Sequence, residues 1–182
     1  MNQPKKLKAQ KGFTITELAI VILLGGIFLA AVWPQMAKIL SGSRASKITN
    51  ELNLVIPTIQ TAYQNRASYN GLTTQQVATN RWISDNFLEM NAGTPTGGIV
   101  TQWGTMAFAT AASNTQVQLT MDNIPSRECS KIAEAFSSNM FLTASINGAA
   151  VKTATTDLDV TAVGTQCNAN AANTLVITFG RA

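Results

Sequence analysis

The chain has 182 residues, 46% of them hydrophobic and only 12% charged, which excludes a disordered polyelectrolyte and leaves room for one modest domain with an appendage. It contains no histidine, so histidine metal sites, Ser-His-Asp or Cys-His nucleophiles and histidine pH switches are excluded. The net charge of +4 comes from Lys5, Lys6, Lys8 and Lys11; from Phe13 onward nine basic residues meet nine acids, which argues against a nucleic-acid partner.

Residues 13–32, FTITELAIVILLGGIFLAAV, carry one charge, Glu17, and have the length a helix needs to cross about 30 Å of hydrocarbon. The lysines before this span predict a cytoplasmic N-terminus and an exported remainder, although Lys38, Arg44 and Lys47 lie on the far side. A cleaved secretory signal is the alternative, with Ala30-Ala31-Val32 as a faint cleavage site. Against it, an apolar stripe of Met36, Leu40, Ile48, Leu52, Val55, Ile56, Ile59 and Tyr63 extends the helical pattern to about Arg66. One rod of some fifty residues is expected, roughly 80 Å long at 1.5 Å per residue.

A carboxylate within such a span costs on the order of 2.5 to 3.5 kcal/mol on insertion scales, so Glu17 is either a functional group with a partner or an acid at a helix start. Gly25-Gly26 and Pro34 bracket a weak stretch, read either as close helix packing or as a segment that unwinds over residues 27–33.

Beyond Arg66 the composition turns to Thr, Asn, Ala, Gly and Ser. Thr73 can cap a short helix over Gln75 to Asn80, and Trp82, Ile83, Phe87 and Leu88 suggest an apolar patch beneath a loop. Gly93 to Gly98 lacks a phosphate-loop ending and reads as a flexible turn. Alternation marks strands at Thr105–Ala111, 116–122 and 174–179, and Pro125-Ser126 opens a helix through about Ser138. Asp157 and Asp159 could hold calcium but more often mark a solvated turn, and the scattered carboxylates offer no glycosidase pair. No enzyme is expected.

Lys11-Gly12-Phe13-Thr14-Ile15-Thr16-Glu17-Leu18 followed by the apolar run resembles the N-terminal signature of type IV pilins. Ile99–Gly104, Val117–Cys129 and Cys167–Phe179 are similar to the head of class B, PilS-like major pilins. A twelve-residue leader and a mature Phe13 are more usual in class A. The resemblance implies removal of residues 1–12 by a prepilin peptidase cutting between Gly12 and Phe13, and N-methylation of Phe13. It further implies a helix over residues 13–66 with its polymerising half at 13–32, bent near Pro34 and Pro57, and assembly through Phe13 and Glu17. The fold it implies is α+β, a long N-terminal helix on an antiparallel head spanning residues 67–182.

Two cysteines in an exported domain favour a Cys129–Cys167 disulfide over zinc or redox chemistry, for which ligands and a CxxC spacing are lacking. Its loop, residues 129–167, resembles the pilin D-region. The implied partners are further copies in a helical filament, the peptidase, an assembly machinery with a cytoplasmic ATPase and the inner membrane, with no cofactor or metal. The implied setting is the inner membrane before assembly and an extracellular pilus for adhesion, aggregation or conjugative contact after it. A minor pilin, a type II secretion pseudopilin and a non-polymerising single-pass binding domain are the alternatives.

Overall fold

The computed structural model describes residues 14–181, in two compact units that divide between Leu40 and Ser41. Within the first, helix α1 (Ile15–Ala62) begins one residue after Thr14. Its stretch Ile15–Trp33 is long and apolar enough to cross a membrane, and none of it is buried. Leu18, Ile22, Leu23 and Phe28 are all more than half exposed. Apolar side chains on every face of a helix have no place in water, which is the pattern of a segment surrounded by lipid or by other helices.

The second unit has a single core. Residues 41–62 of α1 contribute Ala45, Ile48, Leu52, Val55, Ile56 and Ile59 to it, followed by Tyr63, all at most 2% exposed. Spacings of three and four residues hold this stripe on one face. Met36 and Leu40, expected on the same stripe, are instead exposed. Helix α1 stops at Ala62 rather than Arg66, because turn bonds from Gln64 N–H to Thr61 O and from Arg66 N–H to Tyr63 O replace the helical pattern. Arg181 then takes the carbonyls of Tyr63 (3.2 Å), Arg66 (2.5 Å) and Ala67 (2.7 Å), supplying the cation that the last turn of α1 lacks.

Helix α2 (Thr74–Thr79) is capped by the Thr73 hydroxyl, which accepts from Gln76 N–H. It is followed by a hairpin of β1 (Leu88–Asn91) and β2 (Thr94–Ile99). Segment 93–98, expected to be a flexible turn, is therefore largely a strand. Glycine at 97 and 98 is what allows it, since a Cβ there would meet the side chains of Gln75 and Glu89. Ile83 and Leu88 of the expected apolar patch are buried, and Trp82 and Phe87 pack on the core in part.

The main sheet has the order β3-β4-β7-β5-β6, antiparallel throughout, formed by β3 (Met106–Ala111), β4 (Gln116–Pro125), β5 (Thr143–Ile146), β6 (Ala149–Lys152) and β7 (Ala172–Gly180). Val117, Leu119 and Met121 of β4 alternate inward, as do Leu175, Ile177 and Phe179 of β7. A register shift after Met121 lets Ile124 regain the core face, with Asn123 at a positive φ of 60°. The β5–β6 hairpin turns on Asn147-Gly148, both left-handed at φ 52° and 83°, as a type I′ turn requires. Helix α3 (Ser126–Glu134) lays Cys129, Ile132 and Ala133 on the core, and a 3-10 turn through Ser137 adds Phe136. Helix α4 (Val160–Ala169) lies between β6 and β7 in sequence.

Candidate functional site

Gly12 and Phe13 lie outside the described residues, as do the four leader lysines. The first described contact is a reciprocal one at the start of α1. Thr14 N–H and the Thr14 hydroxyl both donate to Glu17 Oε2, at 2.9 and 2.8 Å. Glu17 N–H donates back to Thr14 Oγ1 at 3.3 Å. This is a capping box, and the Thr14-x-x-Glu17 spacing is its sequence signature, which a reading fixed on the carboxylate alone passes over. Both groups remain exposed. Glu17 is thus at a helix start and at the edge of an apolar span at once, so the two expectations for it are compatible.

Gly25 and Gly26 face open space: a Cβ at either would meet no atom of this chain within 4 Å. No contact within this chain requires glycine there, which leaves both expectations, close approach of another helix and a stretch that unwinds, standing. The helix runs through positions 34 and 57 without interruption. At 57 the exposed Pro57 is followed by Thr58, whose hydroxyl takes up the Leu54 carbonyl at 2.8 Å.

Cys129 on α3 and Cys167 on α4 form the disulfide, with Cα atoms 5.7 Å apart and both residues fully buried. The chain between them carries β5, β6 and most of α4. Two polar devices fix that loop besides the disulfide. Asn173, 1% exposed, donates to the carbonyls of Ile124, Cys167 and Asn170, while Asn147 donates to its Oδ1 at 2.7 Å. Lys152, also buried, donates to Phe136 O at 2.8 Å and Ser138 O at 2.7 Å, closing the end of the α3 segment from β6.

Asp159 caps α4 by accepting from Ala162 N–H at 3.0 Å, while Asp157 is exposed in the preceding loop. Among the described residues no group of three or more His, Cys, Asp or Glu side chains is placed to hold a metal.

Two further features carry chemistry that sequence patterns do not signal. At the end of α1, Tyr63 packs on Tyr69 (5.3 Å between centroids), Arg66 stands over Tyr63 and Arg181 over Tyr69. Burial pushes the Tyr69 hydroxyl above the usual tyrosine range, and the Arg181 charge opposes that shift. In addition, a groove of about 520 Å³ opens between α1, residues 84–87 and residues 100–102. Glu51 in its wall is 7% exposed and accepts from Ser84 N–H at 2.6 Å and from the Ser84 hydroxyl.

A family model described as PilS N terminal matches residues 42–180, and one described as the prokaryotic N-terminal methylation motif matches residues 7–33. Among solved structures, the type IV b pilin from Salmonella typhi is similar at 18% identity and a TM-score of 0.54, covering 72% of this chain and 99% of that one. TcpA, a type IV pilin from Vibrio cholerae El Tor biotype, is similar at 15% identity and a TM-score of 0.54, covering 75% of this chain and 98% of that one. No curated protein matches the chain.

Proposed function

This chain belongs to the PilS family of type IV pilins, and we propose that it is a major subunit that polymerises through α1 into a surface filament. The observation that carries this reading is the span Ile15–Trp33, apolar on all faces, unburied and interrupted by one acid. In a bilayer that surface is covered by lipid; in a filament it is covered by the α1 helices of other copies. Lipid and helix are similarly apolar, so the exchange needs packing, a directional polar contact and work from an assembly ATPase.

The polar contact follows from processing. Cleavage between Gly12 and Phe13 creates an α-amino cation one helical turn from the Glu17 anion, in a medium where neither is solvated. N-methylation of Phe13 keeps the charge. Glu17 of an arriving subunit pairs with the Phe13 amine of the subunit already docked, which sets the axial register, and the attraction grows as the dielectric falls. Thr14 holds the carboxylate while the subunit waits in the inner membrane. Glu17→Ala is expected to insert and to be cleaved but to give no filaments; filaments at normal yield remove the pairing. The whole reading is tested by shearing cells, imaging the released material by electron microscopy and sequencing its N-terminus. Filaments of a protein beginning at Phe13 are expected, and released monomers or an intact leader overturn it.

A further inference from the structure

We propose that the groove lined by Lys47, Asn50, Asn86, Phe87, Val100 and Gln102 is a binding site for an acidic saccharide. Its volume of about 520 Å³ falls in the range of small-ligand sites. The functional groups it leaves unused decide the ligand class. Glu51 is occupied by Ser84, and the Thr101 hydroxyl is occupied by Trp103 N–H, Gly104 N–H and Gly104 O. The side chains of Lys47, Asn50, Asn86 and Gln102 make no hydrogen bond or ion pair among the described residues. What the groove offers is therefore one ammonium, three carboxamides and the part-exposed apolar surfaces of Phe87 and Val100.

Carboxamides donate and accept at once, as a run of sugar hydroxyls requires, and an apolar platform suits the C–H face of a pyranose. The Lys47 ammonium forms no ion pair with the Glu51 carboxylate of the same wall, whose oxygens are held by Ser84, and is left to meet one acidic group. An extended peptide fits less well, because the backbone donors at the rim are taken: Val100 N–H by Phe87 O, and Thr101 N–H by Gly104 O. A nucleic acid needs several cations and finds one.

The test uses the full chain in micelles of an uncharged, sugar-free detergent, titrated calorimetrically with trigalacturonate, maltotriose and a triglutamate peptide. Trigalacturonate is expected to bind at least about tenfold more tightly than either control, with Lys47→Gln weakening it about tenfold, the scale of one charge-assisted hydrogen bond. Asn86→Ala is expected to weaken trigalacturonate and maltotriose together, and the thermal midpoints of both variants are expected to stay at the parent value. Side-chain amide resonances of Asn50, Asn86 and Gln102 are expected to shift on titration. Absence of binding, equal binding of triglutamate or an unaffected Lys47→Gln each overturns the proposal. Because the readout is the subunit itself, failure here leaves the filament reading standing.

Discussion

At the scale of single residues, the polar groups of this chain are placed where a helix end or a loop needs them. Thr14 and Glu17 close the start of α1, Arg181 closes its end from 118 residues away, and Lys152 does the same for the α3 segment. Only the first of these pairs is local, so only it can be read from sequence spacing; Arg181 and Lys152 reach their carbonyls through the tertiary fold. The Tyr69 hydroxyl gives a pH signature to the α1 end. Burial favours its neutral form in the folded head, so the unfolded chain loses this proton first as pH rises. The group is silent below the ordinary tyrosine range and lowers stability above about pH 10. The thermal midpoint is expected to fall between about pH 9 and 11, and Tyr69→Phe is expected to flatten that fall. A parent and a variant with superimposable profiles would refute the assignment.

At the scale of elements, the disulfide and the sheet edge make separate predictions. Closing a loop of 38 residues removes chain entropy worth roughly 4 kcal/mol by the loop-length estimate, so Cys129→Ser with Cys167→Ser is expected to lose about that much in denaturant unfolding. A loss near zero would mean that Asn173 and Lys152 alone hold the loop. Strand β3 is an edge of the main sheet, and Thr74 of α2 both donates to Phe108 O (3.2 Å) and accepts from Phe108 N–H (2.8 Å). One hydroxyl thus occupies both outward backbone groups of Phe108, at the middle of the edge where a foreign strand would pair. Thr74→Val is expected to raise thioflavin-positive aggregation of the full chain with little change in midpoint, and an unchanged aggregation rate would show that α2 blocks the edge by bulk alone.

The same scale shows what was legible beforehand. Strands β3, β4 and β7 announce themselves by alternation, and α2 and α3 by Thr73 and Pro125-Ser126. Strand β2 does not, because Thr-Pro-Thr-Gly-Gly has no apolar period and is held extended by Gln75 and Glu89 across from it. Helix α4 is rich in β-branched residues and carries Gly164, so its helicity rests on the Asp159 cap and the Cys167 bridge. The β5–β6 hairpin had a usable signal in Asn147-Gly148, but its four-residue strands are too short for periodicity to confirm. In the candidate site, the Gly12 to Glu17 segment was legible as a linear pattern. The groove was not, since it gathers three separate segments, residues 47–51, 84–87 and 100–102, that share no linear pattern.

At the scale of the whole molecule, the two units face different solvents. Residues 41–181 bury their own apolar stripe, whereas Ile15–Trp33 buries nothing. A chain beginning at Ser41 is therefore expected to be water-soluble and disulfide-bonded, with a midpoint within a few degrees of the full chain in micelles. Precipitation of that fragment would show that the first forty residues are needed for the head's core. The position of β7 has a consequence for biogenesis. It follows the other strands in sequence yet lies between β4 and β5, so a polypeptide made from its N-terminus presents a β3–β4 ribbon and a β5–β6 ribbon with nothing to join them. The head becomes a single sheet only when residues 172–180 are present, and a chain stopped after β6 but before them holds two orphan ribbons with no strand to join them.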